Sequence, residues 1–129
     1  MRLRAAAALL ALAVTGAASA ASPIDLAGSW TGTWANDGTG TSGSARLATA
    51  PALVLRLDGR AFGCFLPTLL PVRYANGQLT GSGRDVPCNR GLRWSLSGRF
   101  AGDAFSGTLG VRLRDGSRAS LRIALQRSG

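Results

Sequence analysis

The sequence predicts an all-β protein: an antiparallel up-and-down meander of about seven or eight strands that closes into a small barrel. Three observations lead to this fold class. Short runs alternate apolar and polar residues with a period of two, dipeptides typical of tight turns separate the runs, and glycine is abundant, with 18 residues in 129. No run after residue 20 sustains the apolar spacing of an amphipathic helix. A sandwich of two sheets is the alternative architecture.

The first twenty residues have the pattern of a secretory signal peptide. Arg2 and Arg4 precede an apolar run over residues 5–14, and the small residues 18–20 supply a cleavage site. Ten apolar residues span about 15 Å as a helix, which is too short for a hydrocarbon core of about 30 Å. We therefore expect an exported protein, secreted or periplasmic, in which residues 21–129 form one soluble domain without a transmembrane segment. An uncleaved N-terminal anchor is the alternative.

Five runs of the exported part alternate in this way, and each is expected to form a strand with one apolar face. They cover residues 28–35, 53–57, 92–97, 105–114 and 119–125. The turn dipeptides are Asp37-Gly38, Asp58-Gly59, Asn76-Gly77, Gly102-Asp103 and Asp115-Gly116. Residues 67–71 and 84–91 interrupt the alternation, and we interpret them as loops.

Strand register can be predicted as well, because apolar residues face apolar residues across a hairpin. A two-residue loop at Gly102-Asp103 aligns Phe100 with Phe105, Leu96 with Leu109, Trp94 with Val111 and Leu92 with Leu113. A turn at Asn76-Gly77 aligns Tyr74 with Leu79 and Arg73 with Thr80. For the last hairpin, a bulged three-residue loop over 115–117 aligns Leu113 with Ala119, Val111 with Leu121 and Leu109 with Ile123.

The two cysteines, Cys64 and Cys88, both lie in the exported part of the chain. In an oxidising compartment a disulfide between them is the expected state. Such a bond closes a loop of about 25 residues and stabilises the fold by roughly 3 kcal/mol on a loop-entropy model. Two buried free thiols are the alternative.

The charged residues argue against an enzyme. The chain has 15 basic and 6 acidic residues, all of them Arg and Asp, a net charge of +9, and no histidine. The commonest general base and metal ligand is therefore missing, and two cysteines do not make a four-cysteine zinc site. Four of the six Asp stand beside Gly in turn dipeptides, which explains them as turn formers. We predict no catalytic residue, no metal site and no cofactor.

The arginines are the best candidates for a binding surface. In the register above, Arg93 and Arg112 face each other on the polar side of the sheet, where like charges are unfavourable unless an anion lies between them. Arg99, Arg114, Arg118 and Arg122 are expected on the same side of the sheet. Because guanidinium groups bind phosphate and carboxylate bidentately, Arg93 and Arg112 are our candidate anion site. A solvated basic face is the alternative interpretation.

Aromatic residues are the candidates for a ligand pocket inside the barrel. They are Trp30, Trp34, Tyr74 and Trp94. An eight-stranded barrel has an interior just large enough for side chains or for one small ligand. Core filling is the alternative role for these four residues.

The segment Leu26-Ala27-Gly28-Ser29-Trp30-Thr31-Gly32 resembles the opening strand of the calycin group, the lipocalins and avidins. In that group a Gly-x-Trp begins the barrel, and the Trp packs at the closed end against an Arg from the last strand. The resemblance implies a small barrel in which Trp30 has that position and Arg127, or alternatively Arg122, packs against it. The chain lacks the row of tryptophans that forms a biotin site, so the resemblance does not imply biotin binding.

Together these features predict an exported, non-catalytic binding protein for a small apolar ligand or an envelope component. The alternative is a secreted protein–protein module, such as an inhibitor of a hydrolase, that presents an exposed, disulfide-linked loop over residues 84–91. Nucleic acid is not an expected partner, because few aromatic residues accompany the arginines.

Overall fold

A computed structural model describes residues 26–63, 65–87 and 89–128 of the chain. The predicted signal peptide and both cysteines, Cys64 and Cys88, lie outside these residues. The described residues form nine strands: β1 Ser29–Asn36, β2 Thr41–Ala48, β3 Val54–Leu57, β4 Thr68–Pro71, β5 Arg73–Ala75, β6 Gln78–Val86, β7 Asn89–Ala101, β8 Ala104–Arg112 and β9 Arg118–Ser128.

All nine strands belong to one antiparallel sheet, which curls into a nearly closed barrel. Strands that follow one another in the chain lie side by side, except that β4 and β5 do not pair, and the first strand, β1, pairs with the last, β9. Val72 alone separates β4 from β5, so the two act as one bent strand that pairs first with β3 and then with β6. The barrel closes where β4 packs against β6. The prediction of an up-and-down barrel is confirmed, and a single continuous sheet excludes the two-sheet sandwich.

Alternation along the strands places the apolar side chains inside the barrel. The largest of those that are fully buried are Trp30, Trp34, Phe105, Leu55, Leu57, Leu70, Leu79, Leu92, Leu109, Leu121, Ile123 and Leu125. Glycines on neighbouring strands make room for several of the rings. Trp34 pairs with Gly43 and Trp94 with Gly83, and a Cβ at either glycine would lie 2.5–2.9 Å from the indole nitrogen.

The β7–β8 hairpin has the predicted register. Its two-residue turn at Gly102-Asp103 aligns Phe100 with Phe105, Leu96 with Leu109 and Trp94 with Val111. The fourth predicted pair, Leu92 with Leu113, lies beyond the end of the ladder, which stops at Arg93 and Arg112. The predicted pairing around Asn76-Gly77, Tyr74 with Leu79 and Arg73 with Thr80, is also present.

The β8–β9 hairpin differs from the prediction by two residues. Ala119 faces Val111 rather than Leu113, and Leu121 faces Leu109 rather than Val111. The loop has three residues, as predicted, but they are 114–116, because the Leu113 amide donates to the Ser117 carbonyl at 2.8 Å. Gly116 occupies the last loop position with a φ of +90°. Glycine adopts this left-handed conformation without strain, and a three-residue loop requires it at that position.

Both segments interpreted as loops contain strand residues. Residues 68–71 form β4, and in the other segment residues 84–86 end β6 and residues 89–91 begin β7, with a register shift between Arg84 and Val86. Asp85 lies at that shift with a φ of +63°. The bulge shifts the alternation by one residue, which is why this hairpin tip has the sequence pattern of a loop.

Candidate anion-binding site

Four arginines lie side by side across the outer face of the barrel, and we call them the arginine row. Arg84 on β6 faces Arg93 on β7, Arg93 faces Arg112 on β8, and Arg112 faces Arg118 on β9. All four side chains are exposed. With neighbouring strands about 4.8 Å apart, the row spans roughly 14 Å of backbone. Arg93 and Arg112 were predicted to oppose each other, whereas Arg84 and Arg118 join them only in the observed register.

The carboxylates of the described residues are engaged elsewhere. Three ion pairs are present: Arg56–Asp58 at 3.0 Å, Arg122–Asp37 at 2.7 Å and Arg127–Asp103 at 2.9 Å. Asp85 accepts a hydrogen bond from the Gly91 amide at 2.6 Å, and Asp115 accepts one from the Ser117 amide at 2.8 Å. Within the described part of the chain, the arginine row therefore has no ion-pair partner.

An open depression of about 620 Å³ lies beside the row on the outer face. Gly110 lies on its floor, where a Cβ would find nothing closer than the Ser95 hydroxyl at 3.7 Å. The residues around it are Arg93, Trp94, Ser95, Gly110, Val111, Arg112, Arg118, Ala119 and Ser120. Three guanidinium groups and two hydroxyls thus surround the depression, and Gly110 has no side chain that would fill it. Such a set of donors suits a tetrahedral oxyanion.

A second depression, of about 340 Å³, lies nearer the end of the strands. It shares Arg93 and Arg112 with the first and adds Arg114 from the β8–β9 loop, beside Gly91 and Gly116. The central pair of the row is therefore accessible from two sides, and an anion between Arg93 and Arg112 can meet a third guanidinium on either side.

Three of the four aromatic residues predicted to line a pocket have fully or almost fully buried rings. Trp30 packs edge-on against Phe100 at 4.8 Å between ring centroids, and half-buried Tyr74 contacts the same ring at 5.5 Å. Trp34 is 1% exposed, and its indole N–H donates to the Asp58 carbonyl. Their ligand-binding role stays a prediction.

Trp94 connects the barrel interior with the depression. The Trp94 indole packs over Gly81 and Gly83 of β6 inside the barrel. Trp94 is also one of the residues that surround the larger depression beside Arg93. Among the four aromatic candidates, Trp94 is thus the neighbour of the arginine row.

At the opposite end of the barrel, Arg127 lies over the ring of Trp30, with 4.9 Å from the guanidinium carbon to the ring centroid. It also donates to the Ala27 carbonyl at 3.1 Å and pairs with Asp103. Arg122, the alternative candidate for this contact, instead pairs with Asp37.

The bidentate pair between Arg122 and Asp37 leads to a test by titration. Hydrogen bonding from Arg122 lowers the pKa of the Asp37 carboxyl below its usual value of 3.8. A depressed folded-state pKa contributes stability that is present above the unfolded pKa and is lost as the pH falls through the folded pKa. By carboxyl NMR we expect Asp37 to titrate below pH 3.8, and closer to that value in Arg122→Gln.

Asp115 is the internal control for this titration. Its pKa is also lowered, but by hydrogen bonds from the Ser117 hydroxyl and amide, so Arg122→Gln leaves it unchanged. Equal movement of the two carboxyls in the variant would contradict a specific pair.

The described residues contain no cluster of three or more potential metal-binding side chains. They also contain no helix that is long and apolar enough to cross a membrane. Comparison of the chain with protein-family models, curated proteins and solved structures gives no match.

Proposed function

We propose that this chain is an exported, non-catalytic binding protein whose ligand carries phosphate or a similar oxyanion and belongs to the cell envelope. One observation carries the proposal: four arginines, without an ion-pair partner among the described residues, align beside a depression lined with hydroxyls. Like charges on directly opposite residues destabilise a sheet. An anion between them removes the repulsion and accepts their hydrogen bonds bidentately.

Two features of the chain support a binding role without catalysis. The side chains around the depression are guanidinium groups, which stay protonated at any physiological pH, and serine hydroxyls. The chain has no histidine to deprotonate a hydroxyl. Export is supported by the sequence pattern of residues 1–20.

The geometry favours an oxyanion over a small apolar ligand. A small apolar ligand needs space among the aromatic residues, but Trp30 and Trp34 are each 1% exposed and in contact with other side chains or backbone. The four arginines of the row, in contrast, are exposed on the outer face.

Thermal and urea unfolding in phosphate tests the proposal. At a free phosphate concentration 100 times the Kd, we expect stabilisation of about 2.7 kcal/mol over a chloride buffer of equal ionic strength. Arg93→Ser/Arg112→Ser should lose this increment. Multivalent anions also stabilise proteins generally by exclusion from the surface, so the comparison between variants decides.

The matched control is Arg73→Ser/Arg99→Ser, which removes the same charge from the other end of the barrel. Arg99 lies on the same strand as Arg93, about 20 Å away along the strand, and faces Gln78 and Ser106. This variant should keep the full phosphate effect. Equal phosphate stabilisation in all three proteins would mean that the arginine row is a solvated surface and would refute the proposal.

A further inference from the structure

Exposed large apolar side chains are concentrated in one short stretch. Among the described residues, those exposed are Phe65 at 80%, Leu66 at 58% and Leu69 at 59%. We call these three residues the apolar tip. Isolated exposed apolar residues are ordinary, but clustered ones mark an interaction surface.

Phe65 and Leu66 lie in the loop between β3 and β4, and Leu69 follows on β4, opposite Arg56. Phe62 is buried in the core, and the next residue, Gly63, turns the chain with a φ of +77°. A backbone hydrogen bond from the Gly63 amide to the Arg60 carbonyl, 3.1 Å, closes this turn. The Arg60 guanidinium then lies over the Phe65 ring, 4.2 Å from its centroid. The exposed Phe65 ring is thus in contact with the positively charged Arg60 side chain.

The apolar tip and the arginine row lie at the same end of the barrel. Since neighbouring strands are antiparallel, the end of β3 shares an end of the sheet with the ends of β6 and β8 and the starts of β4, β7 and β9. Arg84 lies two residues before the end of β6, and β4 packs against β6. Arg112 is the last residue of β8 and Arg118 the first of β9. One end of the barrel therefore combines projecting apolar side chains with guanidinium groups that have no ion-pair partner in the part of the chain that the structure describes.

We propose that this end of the barrel docks on the surface of an anionic lipid bilayer. The arginine row binds headgroup phosphates, while Phe65 and Leu66 enter the boundary between headgroups and acyl chains. The inference rests on the proposed function, because it names lipid headgroups as the source of the phosphate.

The chemistry of the two surfaces matches this partner better than an acidic protein. Phe65 is 80% exposed and projects outward rather than lining a groove, so it suits a fluid apolar layer that needs no complementary shape. Arginine side chains place their stems along apolar surface and keep the charge among phosphates. Residues 21–129, the part expected to be exported, contain 13 Arg and 6 Asp, and their net charge of +7 adds long-range attraction to an anionic membrane.

Vesicle co-sedimentation of the full exported chain tests the inference. We expect binding to vesicles of phosphatidylglycerol and phosphatidylcholine, and at least tenfold weaker binding to phosphatidylcholine alone. Phe65→Ser/Leu66→Ser should weaken binding to the anionic vesicles by at least about tenfold. Arg93→Ser/Arg112→Ser should weaken it by about 25-fold, and Arg73→Ser/Arg99→Ser by much less.

Phosphate stabilisation, measured on the same proteins, separates the two proposals. Because the tip residues are exposed, Phe65→Ser/Leu66→Ser should keep its fold by circular dichroism and its full response to phosphate. A wild type that responds to phosphate but ignores anionic vesicles, or a tip variant that binds them as wild type does, overturns lipid docking alone. If phosphate does not stabilise the wild type more than chloride does, the proposed function is overturned, and the lipid inference with it.

Discussion

Replacing Trp34 by alanine is expected to lower the free energy of unfolding by about 3–5 kcal/mol, a large share of the 5–15 kcal/mol typical of a domain. The indole is 1% exposed, and its N–H donates to the Asp58 carbonyl at 2.6 Å. It lies over Gly43, where a Cβ would approach the indole nitrogen to 2.5 Å. One side chain on β1 thus contacts β2 and the residue that follows β3. Truncation leaves a cavity among all three, since the backbone around it cannot collapse far.

Equilibrium unfolding in urea measures this loss, with Trp34→Phe as the matched variant. Phenylalanine keeps most of the buried apolar surface but gives up the N–H donor, so we expect a cost of about 1–2 kcal/mol. The difference in unfolding free energy between the two variants measures how much the packing of the ring contributes to stability. If alanine cost no more than phenylalanine, the ring would contribute nothing beyond its hydrogen bond.

Gly32→Ala is expected to destabilise the barrel by about 3 kcal/mol, although it adds a single methyl group. A Cβ at Gly32 would overlap the carbonyl oxygen of Ala124 and come within 2.9 Å of the Leu125 Cα. These atoms belong to the backbone of β9 and cannot rotate away. The two strands must separate, which weakens the pairing between β1 and β9, the first and last of the described strands.

Gly110→Ala is the control for that substitution. It adds the same methyl group to a strand glycine, but the nearest atom is the Ser95 hydroxyl at 3.7 Å, an ordinary contact. In chloride buffer we expect a change within about 0.5 kcal/mol. Urea unfolding of both variants decides the matter: similar losses would show that β1 and β9 can adjust to a side chain between them.

The two long hairpins, β7–β8 and β8–β9, show when strand register can be predicted from the sequence and when it cannot. In β7–β8 a two-residue turn leaves one alignment that pairs every apolar residue, and this alignment is observed. In β8–β9 the predicted and observed registers differ by two residues, and such a shift keeps each side chain on its own face. Apolar pairing does not distinguish the two alignments. The position of Gly116 in the loop does, because the left-handed residue closes a three-residue turn.

The alternation of apolar and polar residues did not predict strands that are short or have irregular ends. Strand β4 has four residues, with Pro67 before it and Pro71 as its last residue, and two prolines within five residues are more typical of a loop. It forms because Thr68 and Leu70 point inward and are buried, a property of the closed barrel rather than of the segment. The tip of β6–β7 was missed because the bulge at Asp85 interrupts the alternation.

These register details decide the composition of the candidate site. With the predicted β8–β9 alignment, Arg112 faces Ser120, and Arg118 faces Arg114. The observed shift instead places Arg118 opposite Arg112, and the β6–β7 hairpin adds Arg84 on the other side. The sequence thus predicted the central pair of the arginine row, and the fold extended it to four. No local signal predicted the hydroxyls of Ser95 and Ser120 beside them, because they become neighbours only across Gly110.

The pairing of β1 with β9 has a consequence for how the chain reaches this structure. Trp30 and Arg127 are opposite each other in the sheet yet 97 positions apart in the sequence, whereas the β7–β8 turn joins its strands through two residues. The conformational entropy lost in bringing two segments together grows with the length of chain between them, and folding slows as distant contacts dominate. We therefore expect the hairpins from β6 to β9 to form early and the pairing of β1 with β9 to form late. This late step joins the first and last of the described strands, where Gly32 leaves room for the backbone of β9.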